Sequence, residues 1–124
     1  MIFDTGAVIG FEKGKRKVAA LVANAVLTGA PKIYVPTVVV AEAWRGGARS
    51  ARQALLLAGC RIEPLNEEVA RRAGEALAAV RGATTVDAVV AACAHALGLP
   101  LVTSDMNHMR PLAAHFDGLA LIAI

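Results

Sequence analysis

The 124-residue sequence predicts an α/β fold in which helices cover both faces of a mainly parallel sheet. Short apolar segments alternate with longer stretches of helical periodicity along the chain. Most of these segments are nearly continuous in apolar residues, as is typical of strands that are buried on both faces. The length fits one hydrophobic core, so we expect a single domain over residues 1–124.

Each predicted strand is a short apolar run that ends at a charge, a proline or a turn. Five segments meet this description: residues 1–4, 32–35, 61–64, 99–103 and 119–124. The second of them ends at Pro36, and the first is cut short by the start of the chain.

The predicted helices follow from periodicity together with start and stop signals. The first is a helical stretch that follows the first strand and has its main part at about residues 15–27. The others cover residues 38–44, 48–57, 67–80, 85–98 and 107–115. Thr37 is the N-cap candidate of the second helix, and Asn66 is that of the fourth, with Glu67 and Glu68 in its first turn. Thr84 or Thr85 caps the fifth helix.

Composition narrows the classes of protein that the chain can belong to. Only five aromatic residues are present, so stacking of bases on aromatic rings is not expected to dominate any nucleic-acid recognition. Cys60 and Cys93 have neither disulfide nor zinc spacing and are interpreted as small buried hydrophobes. No secretory leader and no apolar run of membrane-spanning length is visible. We therefore expect a soluble cytoplasmic protein.

The charge distribution leaves two interpretations open. The net charge is +3, but thirteen cations would face six acids, a balance of +7, if four of the ten acids share one site. Such a basic surface suits a polyanion that is held by its phosphates. The alternative is ordinary solubilising charge on helix faces. Both remain open for two groups of residues: Lys13, Lys15, Arg16 and Lys17, and Arg45, Arg49 and Arg52.

Four carboxylates stand where an acidic metal site would need them: Asp4, Glu42, Asp87 and Asp105. Asp4 and Asp105 follow predicted strands, and ligands of parallel sheets bind beyond the carboxyl ends of strands where the strand order reverses. If the first and fourth strands are neighbours there, these two acids face one another. Asp87 lies in an alanine- and valine-rich segment, and Glu42 in one that we expect to be buried, where an unpaired carboxylate is costly.

Converging carboxylates repel one another, and a divalent cation removes that penalty. Ligands that are all oxygens favour Mg²⁺ or Mn²⁺ over zinc or copper. A metal-activated water can hydrolyse a phosphodiester without a serine, cysteine or histidine nucleophile, and the three histidines form no evident triad. Thr5, Thr103 and Ser104 could orient a carboxylate or a water, although hydroxyls are also common at turns.

Each acid also has a structural alternative. Asp4 could cap the following helix, Asp87 could be stabilised by a helix dipole, and Asp105 could be a turn residue. His108 and His115 lie close to Asp105 in sequence. We interpret both as solvated helix positions, with a phosphate contact as the alternative.

Four short motifs, taken in order, resemble the PIN-domain ribonucleases, and among them the VapC-type toxins of bacterial toxin–antitoxin pairs. The motifs are Ile2-Phe3-Asp4-Thr5, then Val35-Pro36-Thr37 leading to Glu42, then Thr85-Val86-Asp87-Ala88, and Leu101-Val102-Thr103-Ser104-Asp105. They extend over essentially the whole chain. Each motif is weak alone, but four in register are fairly specific.

The resemblance implies a three-layer α/β/α sandwich with about five strands, one or two Mg²⁺ or Mn²⁺ ions, and endoribonuclease activity. It also implies a homodimer and an antitoxin whose C-terminal segment enters the acidic site. The four acids match the acidic quartet of the family, and Thr103 matches its hydroxyl residue. Arg45 and Arg49, together with Lys13 and Lys15, are candidate contacts to RNA or to the antitoxin.

The sequence departs from the family where many relatives carry a further acid, because Asn107 and His108 stand there. Asn107 can still coordinate or hold a water, so one-metal and two-metal mechanisms are both open. Two other functions compete with the nuclease. One is a non-catalytic PIN-like module that binds RNA or protein. The other is a phosphatase with Asp4 as nucleophile, which lacks the partner acid because position six is Gly6.

Overall fold

The computed structural model describes all 124 residues and contains five strands, seven α-helices and one 3-10 helix. The strands are β1 (Ile2–Phe3), β2 (Tyr34–Pro36), β3 (Arg61–Glu63), β4 (Leu101–Thr103) and β5 (Leu121–Ala123). The α-helices are α1 (Thr5–Glu12), α2 (Arg16–Thr28), α3 (Thr37–Ala43), α4 (Ala51–Ala58), α5 (Glu67–Ala79), α6 (Thr85–Leu97) and α7 (Met106–His115), and the 3-10 helix covers Gly47–Ser50.

The five strands form one wholly parallel sheet in the order β3-β2-β1-β4-β5. The chain builds the sheet outward from β1 to β3 and then returns to the other side of β1 with β4. The strand order therefore reverses between β1 and β4, where Phe3 is in register with Val102. This adjacency confirms the condition under which Asp4 and Asp105 come to the same edge of the sheet.

Helices pack on the sheet in two groups, which gives the three-layer α/β/α arrangement. In one group α1 contacts α2 and α4, and in the other α6 contacts α5 and α7. The central strands are fully buried at Ile2, Phe3, Leu101 and Val102. In α6 the run from Ala88 to Ala94 is buried throughout, because small alanine side chains let this helix lie close against its neighbours.

Two predicted helix starts are confirmed by cap hydrogen bonds. The Asn66 Oδ1 accepts from the Val69 N–H at 2.9 Å, and the Thr84 Oγ1 accepts from the Asp87 N–H at 3.2 Å. Both residues have the extended backbone that an N-cap requires.

Two predictions were wrong in detail. Thr37 is the first residue of α3 and not its cap, because Pro36 holds the extended conformation that precedes the helix. The helix predicted to begin at residue 48 begins instead as a 3-10 turn, and α4 starts at Ala51. Ser50 explains the tight turn, since its hydroxyl accepts from the N–H groups of Arg45 and Gly46, both at 3.0 Å.

The cysteines match their predicted structural character. Cys93 is buried, Cys60 is half-buried, and neither forms a disulfide. Burial raises the pKa of each thiol to about 11, so neither is poised as a nucleophile. None of the seven helices combines the length and hydropathy that a bilayer crossing requires.

Candidate active site

Asp4 is the buried anchor of the acidic edge, with 5% of its surface exposed. Its N–H donates to the Val102 carbonyl at 3.2 Å, and its Oδ1 accepts from the Ala7 N–H at 2.7 Å as the N-cap of α1. The capping alternative is therefore correct. Burial raises the pKa of Asp4, and hydrogen bonds from Thr103 and Ala7 partly oppose the rise.

Asp105 stands beside Asp4 at the end of β4 and is exposed. Its N–H donates to the Thr103 Oγ1 at 3.0 Å, and its Oδ1 accepts from the His108 N–H at 3.2 Å, which caps α7. The backbone and side-chain hydrogen bonds from His108 lower the pKa of Asp105. The negative charge of Asp105 helps to raise the pKa values of Asp4 and Asp87.

Asp87 lies in the first turn of α6, half-buried, and turns toward the same edge. Burial is the main cause that raises its pKa, and the Thr84 hydrogen bond opposes it. The negative charges of Glu42 and Asp105 raise the pKa of Asp87 further. The charges of Asp87 and Asp105 thus act on Asp4, and those of Glu42 and Asp105 act on Asp87.

The burial expected for Glu42 is wrong. Glu42 is exposed near the end of α3, because this short helix turns Val39 and Ala43 into the core and leaves Glu42 on the solvent side. Its place in the candidate site rests on its coupling to Asp87 and not on the cost of a buried charge.

The predicted supporting residues surround Asp4 unequally. Thr103 is fully buried at the centre, whereas Ser104 and Asn107 are exposed. The Thr5 Oγ1 is buried and has no hydrogen-bond partner. Such an orphaned oxygen beside a carboxylate is a feature that a bound ion or water would satisfy.

Gly6 is a residue that the sequence reasoning did not assign to the site. A Cβ at this position would collide with the Ser104 hydroxyl and would lie 3.3 Å from the Asp4 Oδ1. A glycine two residues after the first strand-end acid was the available signal. The absence of a side chain at Gly6, in the first turn of α1, leaves room for the Ser104 side chain after β4.

The donor set fits a hard divalent cation in its chemistry, since it consists of carboxylates and hydroxyls. In the observed side-chain positions, however, no three acidic, histidine or cysteine side chains are close enough to share one ion. Asp4 and Asp87 are held by caps and burial, whereas Asp105 and Glu42 are exposed. Binding one ion would therefore require the exposed pair to turn inward.

The predicted basic contacts separate into two places. Arg45 and Arg49 are exposed just after α3, and the Arg45 Nη1 donates to the Trp44 carbonyl at 2.8 Å. Lys13 and Lys15 are exposed beyond the other end of α1, whose eight residues make it about 12 Å long. The fold therefore brings the arginine pair nearer to Glu42, and places the lysine pair away from Asp4.

Comparison with known proteins finds a matching family model and solved structures of the same fold. A PIN domain family model matches residues 1–111. VapBC2 from Rickettsia felis, solved with a DNA fragment from its promoter, is 16% identical with a TM-score of 0.77, over 100% of this chain and 99% of that chain. A toxin–antitoxin complex from Klebsiella pneumoniae is 18% identical with a TM-score of 0.73, over 98% and 95% of the two chains.

VapBC-1 from nontypeable Haemophilus influenzae is 20% identical with a TM-score of 0.72, over 99% of this chain and 98% of that chain. Comparison with curated proteins finds no match. At these identities the solved structures establish the shared fold, and the family model covers most of the sequence. The chain belongs to the PIN domain family.

Proposed function

We propose that this protein is a metal-dependent endoribonuclease of the VapC type, the toxin of a toxin–antitoxin pair. The observation that carries the proposal is the position of Asp4 and Asp105 after the neighbouring strands β1 and β4, at the reversal of strand order in a PIN domain. Burial is the main cause that raises the pKa values of Asp4 and Asp87, and the negative charges of neighbouring acids raise them further. A bound cation would remove the repulsion between these carboxylates and would stabilise their ionised forms.

Asp4, Asp87 and Asp105 would hold one or two Mg²⁺ or Mn²⁺ ions together with Glu42. The bound ion supplies an activated water and neutralises charge on the phosphoryl oxygens. Thr103 would hold Asp4 and Asp105 in fixed relative positions, since its hydroxyl is hydrogen-bonded to the Asp105 N–H and to the Asp4 side chain. The exposed guanidinium groups of Arg45 and Arg49 would bind backbone phosphates of the RNA.

The proposal is tested with Asp4→Asn, which keeps the N-cap and removes the charge. Asp117→Asn is the matched control, because Asp117 has 87% of its side chain exposed and pairs with His95 near the other end of α6. Wild type and the control should cleave an RNA pool with Mg²⁺ or Mn²⁺ and arrest growth when expressed. Asp4→Asn should do neither.

A wild-type protein that is inert on every RNA pool with both ions, and harmless on expression, would contradict the nuclease and toxin proposals. Activity on a small phosphomonoester with none on RNA would instead indicate the phosphatase.

A groove between α2 and α4 supports the antitoxin as a partner. It has a volume of about 250 Å³ and is lined mainly by apolar residues of α1, α2 and α4. Val26 and Leu55 line it and have 74% and 76% of their surfaces exposed. Lys32 lies in the lining and Arg52 stands over the ring of Phe11, whereas no acid lines the groove. These features suit an antitoxin segment with an apolar face and acidic flanks.

A homodimer is part of the same proposal and is measured by light scattering at several protein concentrations.

The second candidate function is a non-catalytic binding module. The separation of the carboxylates and the replacement of a family acid at Asn107 favour it. Under that alternative, wild type and Asp4→Asn bind RNA equally and neither cleaves it.

A further inference from the structure

Four polar residues are buried in this protein, and they fall into two pairs. Asp4 and Thr103 belong to the acidic edge. Ser50 and Gln53 lie where the 3-10 helix meets α4, with 1% and 2% of their surfaces exposed. A buried polar group is costly unless it is hydrogen-bonded, so the partners of this second pair indicate which part of the chain it stabilises.

The second pair holds the segment that joins the end of α3 to the 3-10 helix, from Ala43 to Gly46. The Gln53 Nε2 donates to the Ala43 carbonyl at 3.1 Å. The Ser50 Oγ accepts from the N–H groups of Arg45 and Gly46, both at 3.0 Å. Hydrogen bonds to two buried side chains therefore fix this segment at both of its ends.

The fixed segment presents Trp44, the only tryptophan of the chain, with 40% of its surface exposed. Trp44 is the extended residue at which α3 ends, and its N–H donates to the Val40 carbonyl at 2.8 Å. An exposed apolar side chain is not unusual by itself. Here, however, the backbone beneath the ring is already ordered, so a ligand that binds the ring has little of the protein left to order.

The ring lies close to Glu42 and among cations. Trp44 follows Glu42 by two residues, so their Cα atoms are no more than about 7.6 Å apart. Arg45 and Arg49 are exposed on the same stretch of chain, and Glu42 is the only acid between residues 42 and 62. Exposed arginines attract a polyanion and repel a cationic segment of a protein partner.

An aromatic ring flanked by cations is a combination that binds single-stranded nucleic acid. Unpaired bases stack on the ring, and the cations bind neighbouring phosphates. In an RNA duplex each base is paired and stacked between its neighbours, so it offers no free face to an aromatic side chain. The combination therefore distinguishes unpaired from paired RNA.

We infer that Trp44 stacks on one unpaired RNA base while Arg45 and Arg49 bind adjacent phosphates, so that the substrate is single-stranded RNA and not duplex. The inference rests on the proposed function, because it takes RNA as the substrate and the acidic edge as the place of cleavage. One ring adds only part of the affinity, in keeping with the five aromatic residues of the chain. Its role is to select an unpaired base beside the cleaved bond.

The test uses the fluorescence of Trp44, which reports on this ring alone because the chain has no other tryptophan. The protein is titrated with single-stranded RNA homopolymers, with an RNA duplex and with inorganic polyphosphate, which carries phosphates without bases. The titrations are made in a chelator, so that RNA is not cleaved, and at low salt, where phosphate contacts are strongest. Calorimetry gives the dissociation constants of the same ligands.

The proteins are wild type, Trp44→Ala, Trp44→Phe and Leu97→Ala. Leu97 is the matched control, since it is 36% exposed and ends α6, at the opposite end of that helix from Asp87. Trp44→Phe keeps an aromatic ring, and polyphosphate binding shows whether each variant retains its folded basic surface.

Single-stranded RNA should quench Trp44 in wild type and in Leu97→Ala, and polyphosphate and the duplex should quench it much less. Trp44→Ala should weaken binding of single-stranded RNA about tenfold or more, the loss expected for one stacked base, and Trp44→Phe less than about threefold. Binding of polyphosphate should be the same in all four proteins.

Quenching by single-stranded RNA no greater than by polyphosphate would overturn the role of Trp44, and so would equal losses for the two ligands in Trp44→Ala. A Trp44→Ala protein that binds RNA as wild type does but loses the proposed antitoxin would assign the ring to the protein partner and overturn it too. If wild type still cleaves RNA when Mg²⁺ or Mn²⁺ is added, only this inference fails. If it neither binds nor cleaves RNA, the proposed function fails with it.

Discussion

The sharpest prediction concerns Asp4→Asn, whose effect on thermal stability should change sign when metal is added. Without metal at neutral pH, the buried Asp4 carboxylate is repelled by Asp87 and Asp105. Asparagine removes that charge and still caps α1. The metal-free variant should therefore melt at a higher temperature than metal-free wild type.

Metal should reverse the order of the two proteins. An ion at about 100 times its dissociation constant adds about 2.7 kcal/mol to the free energy of unfolding of wild type. Unfolding 124 residues involves an entropy of about 0.26 kcal/mol/K, at about 2.1 cal/mol/K per residue. Wild type should gain about 10 °C in Tm, and the variant should gain little because an anchoring ligand is gone.

The assay is thermal unfolding followed by circular dichroism, in a chelator and then in a series of Mn²⁺ and Mg²⁺ concentrations. Asp117→Asn should follow wild type, since it removes an exposed carboxylate elsewhere. The reasoning is refuted if Asp4→Asn gains as much Tm as wild type on adding metal. It is also refuted if the metal-free variant is less stable at neutral pH.

Three further predictions address the electrostatics, the hydroxyl of β4 and the groove. Burial raises the pKa of Asp4 in the folded protein above the ordinary 3.8, so metal-free wild type should lose stability relative to Asp4→Asn as the pH rises from 3.8 through that folded pKa. Urea unfolding at several pH values measures the difference in the free energy of unfolding between the two proteins. A difference that does not change with pH would contradict the prediction. Thr103→Val leaves the Asp105 N–H without its acceptor and should cost about 1 to 3 kcal/mol in urea unfolding, whereas Thr103→Ser keeps the hydroxyl and should cost less. Leu55→Asp should change the free energy of unfolding by less than about 0.5 kcal/mol, because Leu55 is exposed. The same substitution should weaken binding of the proposed antitoxin, the protein encoded by the neighbouring gene, about tenfold or more. Leu27→Asp, on an 86% exposed residue outside the groove lining, is its control, and equal binding by both variants would argue against the groove.

Local patterns in the sequence were sufficient for much of the architecture. Asn66 and Thr84 act as helix caps because the oxygen of a short polar side chain before a helix can accept from a free N–H of the first turn. The apolar runs around Phe3 and Val102 predicted a parallel sheet, since strands covered on both faces leave no room for polar residues. The adjacency of β1 and β4 was only a condition for Asp4 and Asp105 to face one another, and the structure supplied it.

Other features depended on how the helices pack and could not be read from neighbours in the sequence. Glu42 lies in an apolar segment yet is exposed, because the packing of α3 decides which of its faces meets the core. The groove exists because α2 and α4 both pack near α1 and leave Val26 and Leu55 uncovered. A hydrophobic residue in a helix is equally compatible with a core and with a partner surface.

The acidic edge shows the same division between sequence and tertiary structure. The residue types and their places after strands predicted that Asp4 and Asp105 lie at one edge of a parallel sheet, and the structure showed that their strands are neighbours. The contact of His108 with Asp105, and the room that Gly6 leaves for Ser104, required coordinates. Sequence specifies which chemical groups are available and roughly at which end of the sheet they lie, whereas side-chain direction and burial arise only when the loops pack together.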